Sequence, residues 1–198
     1  VRTLAHVDPV GARLRAHEES YCKEQAMVNR RRVMGLAARR TIALGLAPLG
    51  LAAMAAEPGA PLPPLGSTLA APSLTLLDGS VWGPEQSRGK VLVLYWWASW
   101  CPFCAEQSPH MDALWRAHRS QGLELLALSI DKQPAAASAH LKAKGYGFPA
   151  AMATQVAAVW PKPRGLPVVV VRGRDGKVVF AESGSLFPED VQGLKNFL

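Results

Sequence analysis

The sequence predicts an α/β fold: a central mixed sheet flanked by helices, with an N-terminal β-hairpin. Three observations carry that expectation. Two apolar runs, Val91 to Trp97 and Leu123 to Ile130, are separated by a stretch of helical character, and strand, helix, strand order favours parallel pairing. Farther on, Pro167 to Arg172 and Lys177 to Glu182 are joined through Gly173-Arg174-Asp175-Gly176, a loop so short that the two runs must pair antiparallel. Ahead of both, Leu74 to Leu77 and Val81-Trp82 flank Asp78-Gly79-Ser80, the turn signal of a hairpin.

The residues before the fold read as a leader. Val1 to Ala26 is polar without clear periodicity and precedes a good start at Met27, so it is expected to be a disordered or non-native extension. Residues 27–56 read as a signal peptide. Met27 to Arg40 is a basic n-region, Thr41 to Ala56 is apolar and rich in Ala, Gly and Leu, and Ala53-Met54-Ala55 fits an A-x-A cleavage site. The apolar run contains Pro48 and is short for a bilayer span, which favours cleaved export over a retained anchor. Arg30-Arg31-Arg32-Val33-Met34 and Arg39-Arg40 leave a twin-arginine route open beside the general secretory one. Residues 57–72, with Pro58, Pro61, Pro63, Pro64 and Pro72, read as a Pro/Ala-rich tether.

Ordered structure is expected over 73–198. After the first hairpin, Gly89-Lys90 leads into the central strand, whose β-branched and aromatic residues mark it as buried. A helix is expected from Pro102 to about Ser120, with Phe103, Met111, Leu114 and Trp115 inward and Pro109 producing a kink. The second buried strand follows, then a helix from Ala135 to Lys144 ending at Gly145. Phe148-Pro149 opens an irregular passage, and Val156 to Trp160 reads as a short helix closed by Pro161 and Pro163. Pro188 to Leu198 is expected to be a closing helix, with Pro188 and Glu189 in its first turn.

The chain has 198 residues, 49% of them hydrophobic, enough for one globular domain with a sizeable core. Its net charge of +7 hints at nucleic acid or membrane, but the charge is unevenly placed. Nine of the 22 basic and four of the 15 acidic residues precede position 57, which leaves the fold close to neutral. No Lys/Arg cluster interleaved with aromatics remains there, so no nucleic-acid partner is expected.

Cysteine usage is more informative. Cys22 lies in the leader, and Cys101 and Cys104 form a single C-x-x-C at the exit of the central strand. The N-terminus of a helix presents unpaired backbone N–H groups and the positive end of its dipole, so a cysteine there can hold a thiolate near neutral pH. Three residues later, Cys104 lies one turn away on the same face, able to close and reopen a short disulfide. Buried structural thiols, or half of a zinc site, are the competing readings. Zinc needs two further ligands, and no second C-x-x-C or H-x-x-x-H accompanies the pair, so no metal or other cofactor is expected. Alternation along the strand sends Trp96 and Trp97 to opposite faces, whereas Trp100, beside Cys101, is the candidate for an exposed active surface.

Several motifs taken together resemble the thioredoxin superfamily, and within it the TlpA/ResA branch of exported thiol-disulfide oxidoreductases, which includes the cytochrome c maturation thioredoxins. They are the Asp78-Gly79 hairpin, Gly89-Lys90, Trp97-Ala98-Ser99-Trp100-Cys101-Pro102-Phe103-Cys104, Pro109 and Gly165-Leu166-Pro167. The likeness spans about Ser73 to Leu198. It implies a thioredoxin-like domain in which Cys101 is the exposed attacking thiol and Cys104 the buried resolving one. It further implies that Pro167 is a cis-proline facing the disulfide, and that the Leu166 backbone pairs with an extended substrate.

The departures from the branch bear on direction. A carboxylate is usual three residues past the second cysteine, where this chain has Gln107 after Glu106; cytosolic thioredoxins carry a buried acid where Tyr95 stands. The resulting expectation is a periplasmic protein-disulfide oxidoreductase acting as a reductase, with apocytochrome c as a candidate substrate. Its partners would be protein thiols and disulfides and a membrane electron donor of the thiol-disulfide type, and the chain itself would be a monomer. A dithiol oxidant of the same fold, and a copper- or haem-delivery module using the two cysteines, stay open as alternatives.

Overall fold

Seven consecutive apolar residues, Val-Leu-Val-Leu-Tyr-Trp-Trp, form β3 (Val91–Trp97), and every one is buried. A strand can hide both faces only where it is covered on both and has a neighbour on each side. In the computed structural model, which describes residues 59–198, β3 occupies that central place. Its neighbours are β4 (Leu123–Ser129) and β6 (Val168–Arg172), with β5 (Ala150–Met152) and β7 (Val178–Ser183) outermost, in the order β5-β4-β3-β6-β7. β3 and β4 run parallel in register from Val91 opposite Leu123 to Trp97 opposite Ser129; β6 lies antiparallel, with Trp96 opposite Val168. The expected hairpin is present as β1 (Leu74–Thr75) and β2 (Val81–Trp82). Residues 1–58, which hold the expected extension (1–26), the signal peptide (27–56) and the first two residues of the tether, lie outside the described residues.

The two faces of β3 are covered differently. Val91, Val93, Tyr95 and Trp97 pack with Met111 and Leu114 of α2 (Pro102–His118), Ala137 of α3 (Pro134–Lys144) and Val191 of α4 (Pro188–Gly193). Leu92, Leu94 and Trp96 pack with Leu74 and Trp82 of the hairpin and with Val156 and Trp160. Trp82 and Trp160 meet edge to face, with ring centroids 6.3 Å apart. The alternation expected of Trp96 and Trp97 is therefore observed, and both are buried.

Sequence signals explain the helix ends. α2, α3 and α4 each begin on a proline, whose missing N–H costs nothing in the first turn. α3 closes at Gly145, which adopts φ +69° and takes a left-handed cap. Pro109 lies inside α2 and removes one intrahelical donor.

Several expectations need correction. Residues 59–72 are not a tether outside the fold. Gly66 N donates to Val178 O and Val178 N to Ser67 O, Leu69 N donates to Gly176 O, and Arg172 Nη1 reaches Leu69 O, so the segment is strapped along the start of β7. Proline lacks one backbone donor but leaves the intervening ones free to pair, and Leu62 and Leu69 have core to cover. Phe103 is 57% exposed rather than inward, because the buried stripe of α2 runs through Cys104, Gln107, Ser108 and Met111. The passage after Phe148 contains the edge strand β5 and a 3-10 turn over Ala153–Val156, in place of a helix from Val156 to Trp160. A short helix, α1 (Pro84–Ser87), was not anticipated; its Gln86 Oε1 accepts from Gly83 N. The closing helix gives way to a 3-10 turn over Leu194–Phe197.

Candidate active site

Register brings three chain segments to one end of the sheet. β3 and β4 both finish there, and one residue before Val168 the antiparallel β6 brings Pro167 level with Trp97. From Trp97 the chain makes a turn in which Cys101 N donates to Ala98 O at 3.2 Å, and α2 then starts. Cys101 is the N-cap of α2, and its sulfur accepts from Cys104 N at 3.2 Å, so the helix N-terminus supports the sulfur as the spacing predicted. Cys101 and Cys104 form a disulfide across Cα atoms 5.2 Å apart. Cys101 is only 4% exposed in this disulfide state, less open than expected of an attacking thiol, and Cys104 is more deeply buried. The outward side chains are aromatic: Trp100 is 65% exposed and Phe103 flanks it one turn on.

The Leu166-Pro167 peptide bond is cis. Pro167 is buried and Leu166 half-buried. Gly165, at φ +78°, makes the approach to this bond, a backbone conformation that favours glycine. Pro167 O accepts from Gly184 N at 2.9 Å, which attaches the loop after β7 to the proline. Lys162 Nζ donates to Pro163 O and Gly165 O, and partial burial lowers its amine below the ordinary value.

The two positions where acids were expected are occupied by neutral groups with structural partners. Tyr95 Oη donates to Cys104 O at 3.3 Å and lies 3.0 Å from Ser108 Oγ. Burial raises its phenol well above the ordinary value, against a smaller opposing effect of the Ser108 hydrogen bond, so it remains a neutral donor. Gln107 is buried; its Oε1 accepts from Leu186 N at 2.7 Å, while its Nε2 has no partner.

A carboxylate that was not anticipated stands on the other side of the turn. Asp131 is buried beyond the end of β4, where its oxygens accept from Ser99 N (3.1 Å), Ser99 Oγ (2.6 Å) and Ser129 Oγ (2.7 Å). A signal for it was present: in open α/β sheets functional groups gather beyond the carboxyl ends of parallel strands, and Asp131 follows such an end beside that of β3. His140 of α3, packed against Trp97 at 5.5 Å between centroids, was also missed. Among the described residues, no group of three or more His, Cys, Asp and Glu side chains comes together as a metal site.

A redox disulfide at a helix N-cap, beside a cis-proline at the end of a five-stranded mixed sheet, makes this a protein-disulfide oxidoreductase of thioredoxin-like fold. Comparison with known proteins agrees. The chain belongs to the AhpC/TSA family, whose profile matches residues 68–179. It is similar to the thiol-disulfide oxidoreductase ResA of Bacillus cereus, 28% identical over 121 residues, covering 61% of this chain and 70% of that protein. Another ResA, from Geobacillus kaustophilus, is 27% identical over 129 residues, covering 65% and 74%. Among solved structures, a thiol:disulfide interchange protein of Chlorobium tepidum superposes with a TM-score of 0.62 at 19% identity, covering 68% of this chain and 97% of that one. A putative DsbE of the same organism gives 0.57 at 24%, covering 68% and 94%. At those identities the structural likeness supports the fold alone.

Proposed function

We propose that the protein is an exported disulfide reductase that works in the periplasm, with Cys101 as attacking thiol and Cys104 as resolving thiol. The observation that carries the assignment of roles is the position of Cys101 at the α2 N-cap, where Cys104 N already donates to its sulfur. In the reduced protein the Cys101 thiolate attacks one sulfur of a substrate disulfide. A bond forms between them, the substrate S–S bond breaks, and the departing thiolate takes a proton from water. Cys104 then loses its proton and attacks Cys101 Sγ. The Cys101–Cys104 disulfide forms, the second substrate sulfur leaves as thiolate, and two electrons have passed to the substrate. A membrane dithiol donor returns the pair to its reduced state.

In this reading Trp100 and the Leu166 backbone hold the extended substrate against Pro167. Apocytochrome c, whose haem-attachment cysteines must be reduced, fits as a substrate. The leader at 27–56 supports export, and among the described residues no helix is long and apolar enough to cross a membrane. Cys104→Ser is expected to accumulate substrates joined covalently to Cys101. Absence of such adducts in cells carrying that variant would reverse the assignment of roles. Pro167→Thr is expected to slow release of the adducts.

The neutral residues Tyr95 and Gln107 favour one second reading, a dithiol oxidant. The equilibrium with glutathione separates the two. A potential near the oxidising end of the family range, about −120 mV, would replace the reductase reading, and one near about −270 mV supports it.

A further inference from the structure

We propose that Asp131 is the positioning residue of the active-site turn, and that its charge makes the cysteine pair a stronger reductant. The inference rests on the redox reading of Cys101 and Cys104 and assigns work to a carboxylate outside both positions where this fold family suggested one. Within the turn closed by Cys101 N and Ala98 O, Ser99 and Trp100 are the two central residues. Asp131 grips Ser99 twice, through its backbone N–H and its hydroxyl, on different carboxylate oxygens. The carboxylate is itself held: Ser129 Oγ donates to Oδ2, and Asp131 N donates back to Ser129 Oγ at 3.0 Å. Because Ile130 N also donates to Trp97 O at 3.0 Å, the end of β4 and the turn after β3 move as one piece.

Two consequences follow from different properties of the same side chain. The double grip fixes the turn that orients Cys101 and sends Trp100 outward. The negative charge, buried and held against Ser99, which lies two residues before Cys101, opposes a thiolate there but leaves the uncharged disulfide unaffected. Opposing the reduced form relative to the oxidised one drives electrons toward the substrate. Ser99 carries the first property and not the second, so the two residues can be separated by substitution.

The experiment measures the exchange equilibrium with glutathione and the rate of reaction with a small model disulfide, using the purified protein and Asp131→Asn, Ser99→Ala and Ser99→Thr variants. Exchange by the unsubstituted protein tests the redox reading itself; the comparison among variants tests Asp131. Asp131→Asn keeps the shape and removes the charge, and is expected to shift the equilibrium about tenfold toward the dithiol, which is 29.6 mV for a two-electron couple. Ser99→Ala keeps the charge; its equilibrium is expected to stay within about twofold while the rate of attack falls several-fold, and Ser99→Thr is expected to restore that rate. An Asp131→Asn protein that melts earlier with an unchanged equilibrium would reduce the residue to a structural pin and overturn the proposal. Equal equilibrium shifts in Asp131→Asn and Ser99→Ala would overturn the charge argument as well. Should Asp131→Asn fail to fold, an unchanged rate in Ser99→Ala would still overturn the positioning.

Discussion

The two faces of β3 are built from the same strand and finished by different means. On the Tyr95–Trp97 face three helices provide regular packing, and polar groups enter the core, Tyr95 with partners in Cys104 O and Ser108 but Trp97 Nε1 and Gln107 Nε2 with none. On the Trp96 face a two-stranded hairpin, a 3-10 turn and a strap close the core, and Trp82 and Trp160 fill it. The indole nitrogens of Trp82, Trp96 and Trp160 have no partner there. The difference separates chemistry from support: polar detail is concentrated on the face that carries the disulfide, and bulk apolar packing on the face that does not.

Substitutions can break that separation, and the largest effect is expected at the disulfide. Cys101→Ser should lower disulfide-exchange turnover to background while the fold persists, as read by exchange assay and circular dichroism together. Next is Trp160→Ala on the far face, expected to cost about 3–5 kcal/mol of stability by leaving a cavity beside Trp82. Its potential with glutathione should not move, and a shift would show that the faces are coupled through β3. Arg172→Met comes third. Arg172 is buried with Nη1 on Leu69 O and Nη2 on Ser87 O, and burial lowers its pKa, so its loss should cost about 1–3 kcal/mol and expose residues 59–72 to protease first.

The smallest effect is expected from Tyr95→Phe, about 1 kcal/mol at neutral pH from the lost hydrogen bonds. Its pH dependence has a definite sign. The folded phenol titrates above its unfolded value of 10.0, so stability from keeping it neutral is complete below that value and lost as pH rises past it. Chemical denaturation should therefore show the natural protein losing stability more steeply above about pH 10 than Tyr95→Phe does.

The same contrast governs what was legible in the sequence. β3, β4, the β6–β7 hairpin, α2 and α3 were readable because apolar runs, proline starts and Gly145 mark them. Cys101 and Cys104 were readable because spacing and position coincide. β5 has three residues and the strap is proline-punctuated, too little for any periodicity to register, and both form through long-range pairing. Phe103 misled because the stripe that is buried contains Gln107 and Ser108, polar residues that a hydrophobic pattern passes over. Asp131 escaped because its importance comes from the parallel register with β3, which only the fold supplies.

The strap and the hairpin also decide how a visiting polypeptide can approach. Leu77 N donates to Ala150 O along β5, and Gly66 and Ser67 pair with Val178 at the start of β7, so a foreign strand meets occupied backbone groups at both borders. Edge pairing, the usual route by which sheets recruit each other into aggregates, is blunted on both sides. In the function proposed above, an extended substrate docks at the sheet's end instead, where the cis-proline loop and the two cysteines meet.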